Sequence, residues 1–184
     1  FFFAEFSVVC GLHHMHLKPE DLSLQAVNDR SIELLKTLNS AIFPVVYQDK
    51  FYQTVLQTDC GYTHLAFYNG ILAGAVCCRL ECLHKDSDKE LKLYIMTLGV
   101  LAAYRRLHIG SVLLDKILET AKSDESRNII EVELHVQTSN DEAIAFYKKF
   151  GFEVMDKVER YYKRIEPPDA YRLVKKVEKS RPGA

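Results

Sequence analysis

"LYIMTLGVLAAYRRLHIG", residues 93–110, is the stretch that says most about the fold. Its first half is a run of apolar residues of the kind found in a buried strand. Apolar residues then recur at the spacing of one helix face, at Ile109, Val112, Leu113, Ile117 and Ala121. The stretch therefore predicts a strand over 91–101 and, soon after it, a helix over about 106–123.

Residues 105–110, RRLHIG, lie at the N-terminus of that predicted helix. A helix N-terminus presents unpaired amide hydrogens and a positive dipole end, so a close-fitting loop there can bind a phosphate. The chain contains neither G-x-x-x-x-G-K-[ST] nor G-x-G-x-x-G, which argues against nucleotide hydrolysis and against a Rossmann dinucleotide site. The stretch indicates an anion site of another kind.

His108 stands in this loop where a phosphate cradle usually has glycine. If residue 108 needs a positive φ, histidine costs about 1 to 2 kcal/mol there, which weakens binding without abolishing it. Two other outcomes stay open at this point. The imidazole clashes with the phosphate, or it bonds the phosphate when it is protonated.

Periodicity and turn signals predict the remaining elements. Pro44 should end the first helix, and Ser139 with Glu142 has capping-box spacing at the start of the last one, which Gly151 should end. In chain order we expect a strand at 22–27, helices at 32–42 and 47–57, two strands within 63–83 around an Asn69-Gly70 type I′ turn, a loop at 84–90, a strand at 128–137, the last helix, and closing strands within 152–165 and 170–177.

This order predicts an α/β fold whose first half is mostly antiparallel, with one parallel crossover through the helix at 106–123. We expect one domain over 22–177, an N-terminal extension over 1–21 and a short tail over 178–184. Residues 13–16, HHMH, with Cys10 nearby, have a composition that binds soft metals, although a disordered tail is the simpler interpretation. We also expect the natural chain to start at Met15.

Composition excludes several classes of protein. Lysine plus arginine (24) and aspartate plus glutamate (25) nearly cancel, unlike the strongly basic surface of a nucleic-acid-binding protein. The five cysteines include no C-x-x-C pair, so they suit neither a disulfide framework nor a zinc cluster and favour a reducing compartment. No apolar run approaches the roughly 18 residues of a membrane helix.

The motif at 105–110 resembles the coenzyme A motif of the GCN5-related N-acetyltransferases (GNAT): Arg or Gln, two variable residues, Gly, one variable residue, then Gly or Ala. The neighbouring sequence is similar to the NatE type of N-terminal acetyltransferase within that family. The resembling stretches are "IFPVVYQDKFY" (42–52), "LYIMTLGVLAAYRRL" (93–107), "LHVQTSNDEAIAFYKKFGFE" (134–153) and "YYKRIEPPDAY" (161–171). The resemblance covers about residues 22–177 and implies a mixed, mostly antiparallel sheet with splayed central parallel strands, flanked by helices.

The resemblance also implies the cofactor. Acetyl-coenzyme A is expected to insert its pantetheine arm between the two central strands like an additional strand, and no metal is implied. Without the resemblance, Arg105 and Arg106 would be interpreted as a solvated basic pair. The residues implied in cofactor binding are Leu98, Val100, Arg105, Arg106, Leu107, His108, Ile109, Gly110, Ser111, Asn140 and Tyr147.

The catalytic pair that the resemblance implies is Tyr94 and His135, which act through an ordered water to take a proton from the attacking amine. The alternating pattern permits this role, because His135 lies on the polar face of its predicted strand. A lone strand histidine is otherwise more often structural. Tyr147 is the implied acid that protonates the leaving thiolate.

Histidine is a mild base, and it suits an α-amine better than the amine of a lysine side chain. An α-amine has a pKa of about 7.7 to 8.0, so roughly a fifth of it is neutral at cytosolic pH, whereas less than about 0.1% of a lysine side chain is neutral. A histidine with a pKa of about 6.5 can assist the first amine and is poorly matched to the second. This favours N-terminal over lysine acetylation.

Two loops are implied to cover the substrate N-terminus and to form an apolar pocket for methionine followed by a hydrophobic residue. Aromatic loop residues often only seal a core edge, but the doublet Tyr161-Tyr162 is harder to explain so, because successive strand residues point to opposite faces. The implied lining residues are Phe43, Pro44, Val45, Tyr47, Met96, Tyr161, Tyr162 and Ile165.

The sequence is therefore interpreted as an N-terminal methionine Nα-acetyltransferase. Two alternatives remain: a pseudoenzyme or scaffold subunit that lost the cofactor through His108, and a lysine or small-amine acetyltransferase. The expected partners are protein N-termini as substrate and the ribosome-bound NatA complex, with its auxiliary and catalytic subunits, and neither nucleic acid nor membrane is expected. We expect a cytoplasmic location, with a nuclear pool as a second expectation.

Overall fold

The computed structural model describes residues 21–57, 60–84, 87–163 and 165–179. The expectations for the histidines at 13–16, for Met15 and for the end of the tail lie outside these residues. The elements, in chain order, are β1 (Leu22–Ala26), α1 (Ile32–Ile42), α2 (Asp49–Gln57), β2 (His64–Tyr68), β3 (Ile71–His84), β4 (Ser87–Val100), α3 (Ile109–Ser123), β5 (Ile129–Gln137), α4 (Asp141–Lys149), β6 (Glu153–Val158) and β7 (Ala170–Lys176), with 3-10 turns at Cys60–Tyr62 and Ala102–Tyr104.

The strands form a mixed sheet in the order β1-β2-β3-β4-β5-β7-β6. The β1–β2, β2–β3, β5–β7 and β6–β7 ladders are antiparallel, and β4 and β5, joined through α3, are parallel. The predicted α/β architecture with one parallel crossover is confirmed. The parallel ladder runs from Leu91 to Tyr94 on β4, whereas β4 itself continues to Val100, which agrees with splayed central strands.

The described residues cluster into two compact units. The first contains those up to Cys78 together with Thr97–Ile117, and the second contains Arg79–Met96 together with those from Leu118 onward. Each unit has its own buried side chains. Leu35, Leu65 and Leu113 are fully buried in the first, and Leu93, Ile129 and Leu173 are at most 1% exposed in the second.

The first helix ends as the sequence predicts. α1 buries Ile32, Leu35 and Leu38 on one face. Phe43 then takes an extended conformation, φ −108° and ψ 137°, because the ring of the following Pro44 disfavours a helical one. The Phe43 amide still donates to the Asn39 carbonyl at 2.9 Å, so the loop at 43–48 starts directly from the last helical turn.

The β2–β3 hairpin confirms its predicted turn and corrects a predicted loop. Tyr68 pairs with Ile71 across Asn69 and Gly70, both of which have a positive φ, as a type I′ turn requires. The prediction of a loop at 84–90 was wrong at residue 84 and at residues 87–90, since β3 runs to His84 and β4 already begins at Ser87. Charged side chains are compatible with a strand wherever they project into solvent.

The residue that caps the last helix lies one position later than predicted. The Asn140 side chain, and not that of Ser139, caps α4 by accepting a hydrogen bond from the Ala143 amide at 3.1 Å. The reason is a turn that the Asn140 amide closes by donating to the Gln137 carbonyl. Gly151, at φ 79°, ends the helix region as predicted. Within the described residues, no helix is both long and apolar enough to cross a membrane.

Candidate active site

The loop before α3 is shaped by two residues in the left-handed region. Arg106 has φ 64° and His108 has φ 56°, which is uncommon for residues other than glycine. They delay the start of the helix to Ile109, whereas the sequence predicted about residue 106. Residue 108 therefore does have the positive φ that the sequence analysis considered, and histidine adopts it. We call residues 105–111 the cradle.

The cradle offers main-chain donors. The Val112 amide donates to the His108 carbonyl at 3.0 Å, which is the first α-helical bond of α3. The amides of residues 109–111 precede it and have no partner within the helix. Ile109 is 1% exposed, whereas Gly110 and Ser111 are half-buried, so the amides of these two residues are the ones that can meet a ligand. The His108 side chain is exposed.

The end of β4 leads into the cradle. Leu98 and Val100 are half-buried, and the Arg105 Nε donates to the Val100 carbonyl at 3.4 Å. Gly74 on β3 lies so close to this strand that a Cβ on it would stand 2.8 Å from the Gly99 carbonyl oxygen. The implied cofactor residues Val100 and Arg105 are thus in direct contact.

The loop at 43–48 has a buried base and an exposed tip. Phe43 is 8% exposed and packs against Gly99, where a Cβ would lie 2.8 Å from its ring. Tyr47 contacts Phe43 edge-on, with ring centroids 5.8 Å apart. Pro44 and Val45 are exposed, and Val46, which the sequence analysis omitted, is 96% exposed. The uniform apolar run gave no signal that would distinguish Val45 from Val46.

Three aromatic side chains of the second unit form one hydrogen-bonded group, which we call the Tyr–His–Tyr cluster. The Tyr94 Oη lies 3.1 Å from the His135 Nδ1 and 2.7 Å from the Tyr161 Oη. The Tyr161 ring stacks on His135, with centroids 4.4 Å apart and an interplanar angle of 7°. The two side chains implied as the catalytic pair are therefore in direct contact, and Tyr161, assigned from the sequence only to the substrate pocket, touches both.

Charged residues surround this cluster. The Arg79 guanidinium lies over the Tyr94 ring, 4.6 Å from its centroid. Glu133, two residues before His135, is buried and accepts from Lys92 at 2.9 Å and from Arg172 at 3.2 Å. Nothing in the sequence pattern pointed to Arg79, because a cation–π pair depends on which strand segments become neighbours.

Burial determines the protonation states of the cluster. Burial, reinforced by the hydrogen bond between Tyr94 and Tyr161, raises the pKa of Tyr94 well above its ordinary value, so this phenol stays protonated. Burial also lowers the pKa of His135, an effect that the neighbouring Glu133 carboxylate opposes. A neutral imidazole beside a protonated phenol is a proton acceptor at neutral pH.

Tyr161 and Tyr162 lie in the loop between β6 and β7 and not in a strand, since β6 ends at Val158. The doublet was therefore wrongly expected to lie in a strand, and its side chains do not alternate between two sheet faces. The two rings meet edge-on, 4.9 Å apart, and burial raises the pKa of Tyr162 to about 12. Ile165 in the same loop and Met96 on β4 are half-buried.

Asn140 caps α4 and Tyr147 lies within it, also in the second unit. The Asn140 side chain is engaged in capping the helix. The Tyr147 ring is 7% exposed and packs edge-on against Phe146 and Phe152. Their roles toward a cofactor stay predictions. In the ranges that the structure describes, no group of three or more histidine, cysteine, aspartate or glutamate side chains could hold a metal ion.

Comparisons with known proteins agree with the fold. Residues 32–152 match the model of a family described as "Acetyltransferase (GNAT) family". The Drosophila melanogaster protein described as "Probable N-acetyltransferase san" is 47% identical over 163 residues, which are 89% of this chain and 85% of that protein. N-alpha-acetyltransferase 50 of Danio rerio is 47% identical over 154 residues, 84% of this chain and 88% of that protein. The structure of Arabidopsis thaliana Naa50 in complex with the bisubstrate analogue CoA-Ac-MVNAL superposes with a TM-score of 0.75 at 46% identity, covering 84% of this chain and 98% of that one.

Proposed function

This chain belongs to the GNAT acetyltransferase family, as its residues predicted, and from that premise we propose that it acetylates protein N-termini. The acetyl donor is acetyl-coenzyme A, and the acceptor is the α-amino group of a chain that begins with methionine followed by an apolar residue. One observation carries the proposal: the Arabidopsis relative was solved with coenzyme A joined through acetyl to a peptide that begins with methionine and valine. The contact between Tyr94 and His135 supports it.

The residues of the first unit fit coenzyme A. The cradle combines a helix N-terminus with a loop of positive φ, and the half-buried Gly110 and Ser111 offer main-chain donors there for a pyrophosphate. The main chain of Leu98 and Val100 would hold the pantetheine arm. When bound, acetyl-coenzyme A supplies the thioester from which the acetyl group is transferred and the thiolate that leaves.

The Tyr–His–Tyr cluster removes the proton that the amine loses as its nitrogen bonds to the acetyl carbon. Each of the three groups can both accept and donate a hydrogen bond. As the Tyr161 Oη takes up the proton of the amine, Tyr161 passes its own proton to Tyr94. Tyr94 in turn passes its own proton to the His135 Nδ1. The imidazole ends as the cation, and the buried Glu133 nearby stabilises that charge.

Tyr147 is proposed as the acid that protonates the leaving sulfur. Its phenolate then regains a proton from solvent while the His135 imidazolium releases one, so both groups return to their starting states. The loop at 43–48 of the first unit is proposed to contact the first residues of the substrate, and the same role is proposed separately for the loop at 159–169 of the second unit. Val45 and the exposed Val46 offer apolar contacts on the first loop, and Tyr161 and Tyr162 do so on the second. An association with NatA and a cytoplasmic or nuclear location belong to the same proposal.

The test is acetylation of a Met-Leu peptide compared with the same peptide carrying a blocked α-amine and a free lysine. We expect acetylation of the first and at most a trace on the second, because a mild base matches the α-amine. Equal rates on the two peptides would refute α-amine specificity in favour of lysine acetylation. No heat of binding with coenzyme A would support the pseudoenzyme instead.

A further inference from the structure

The loop that carries Tyr161, residues 159–169, is closed on itself between β6 and β7. The Tyr162 amide donates to the Pro168 carbonyl at 2.8 Å, and the Arg160 amide donates to the Asp169 carboxylate at 3.0 Å. These bonds tie the two arms of the loop together. The Tyr161–Tyr94 hydrogen bond and a bond from the Thr138 amide to the Asp169 carbonyl at 3.0 Å help to hold the loop on the sheet, and contacts with side chains of β5 add to them.

Two neighbouring side chains of β5 make those contacts. His135 and Gln137 are two residues apart on one strand, so they project from the same face. The Tyr161 ring stacks on His135, and the Gln137 Nε2 donates to the Pro167 carbonyl at 2.8 Å. Gln137 is 6% exposed, so its hydrogen bond forms where water does not compete.

We infer that Gln137 is a positioning residue for the proposed acetyl transfer: its side-chain amide fixes the Pro167 carbonyl so that Tyr161 stays on His135 and in hydrogen-bond reach of Tyr94. The inference rests on the proposed function, because the alignment of Tyr161 affects a rate only if the cluster moves a proton. Gln137 acts through the loop and does not touch the reacting atoms.

The residue type suits this role. The charged groups that act on His135 are Glu133, Lys92, Arg172 and Asp156. A lysine or arginine at position 137 would add a further cation beside the imidazole that must accept a proton. A glutamine supplies a donor of similar reach and leaves that balance of charge unchanged.

The test uses Gln137→Met, which keeps the volume of the side chain and removes the donor. The control is Val136→Ala, a change to a buried neighbour whose side chain projects from the opposite face. We expect Gln137→Met to lower kcat/KM for a Met-Leu peptide about three- to tenfold, mainly in kcat, and the control to stay within about twofold.

A second readout does not need activity. The stacked Tyr161 ring shifts the His135 ring protons in the NMR spectrum, and Tyr161→Leu marks their position without the stack. Gln137→Met should move these signals toward that position. If the unchanged chain proves unable to acetylate α-amines, this shift still tests the contact, so failure of the function and failure of the inference are distinguishable.

Three outcomes would overturn the inference. They are His135 signals and rates unaffected by Gln137→Met, an equal loss of rate in Val136→Ala, and fast solvent exchange of the Gln137 side-chain amide hydrogens in the unchanged chain. The last measurement applies even if the methionine variant does not fold.

Discussion

The cradle and the Tyr–His–Tyr cluster are built from different parts of the chain. The cradle offers main-chain amides, and its special feature is the backbone conformation of Arg106 and His108. The cluster offers side-chain atoms, whose contacts depend on the identity of each ring. A main-chain site tolerates an unexpected residue provided that the residue can adopt the conformation, whereas a side-chain site does not tolerate replacement. Substitutions should therefore lower activity much more in the Tyr–His–Tyr cluster than in the cradle.

The largest effect is expected for His135→Ala. Removing the final proton acceptor of the cluster should lower kcat/KM by about 10²- to 10⁴-fold, the usual contribution of a general base. Steady-state assays with a Met-Leu peptide measure it. Unchanged turnover would remove His135 from the mechanism.

His64→Gln is the matched control for that variant. His64 is also a strand histidine with a pKa lowered by burial, but its Nε2 lies 3.1 Å from the Gly61 carbonyl and not against another ring. Glutamine can keep a donor near that position. We expect a rate within about threefold of that of the unchanged chain. A loss as large as that of His135→Ala would mean that replacing any buried strand histidine lowers the rate, so the result for His135 would not identify a base.

Tyr94→Phe should have the next largest effect. The change removes the hydroxyl that bridges His135 and Tyr161 and keeps the ring that packs against Arg79. A hydrogen bond to a group that becomes charged contributes about 1.5 to 3 kcal/mol, so kcat should fall about 10- to 100-fold with little change in Tm. A fall in Tm without a fall in kcat would show that the hydroxyl is structural.

The pH dependence should reflect both partners in the proton transfer. The substrate amine must be neutral, so kcat/KM should rise about tenfold per pH unit until the amine pKa of about 7.7 to 8.0. The pKa of His135 is lowered, so the imidazole is neutral at pH 7 and the profile should steepen only below about pH 6.5. The raised pKa of Tyr94 predicts no alkaline decline from this phenol. A bell-shaped profile centred near neutrality would contradict these assignments.

The smallest effect is expected in the cradle. His108 already has its positive φ in the free chain, so the cost of that conformation falls on folding and not on cofactor binding. His108→Gly should raise the free energy of unfolding by about 1 kcal/mol, measured by urea denaturation, and should change the Kd for coenzyme A by less than about threefold. If coenzyme A bound the glycine variant and did not bind the unchanged chain, the imidazole would be shown to block the site.

Much of the fold could be predicted, because it follows from local signals. Pro44 ends a helix and Asn69-Gly70 makes a hairpin whatever the rest of the chain does. One error arose at 84–90, where a run of charged residues was taken for a loop. Another arose at Ser139, where one more turn residue moved the helix cap to Asn140. Local patterns do not record which segments become neighbours.

The candidate site shows the same division. Alternation placed His135 on the polar face of its strand, and the motif resemblance pointed to Tyr94. The contacts of Tyr161 with both, of Arg79 with the Tyr94 ring and of Gln137 with Pro167 could not be predicted. Each of them joins segments far apart in the chain, so only the pairing of the strands and the course of the loop bring them together.

The packing of Phe43 on Gly99 has a consequence for substitution. A side chain at position 99 would collide with the Phe43 ring and with Ile42, so a mutation of Gly99 needs a compensating change there. Val46, three residues along and 96% exposed, is under no such constraint. Packing therefore restricts which residues can stand at the base of the loop, whereas at its tip only the proposed contacts with substrate do so.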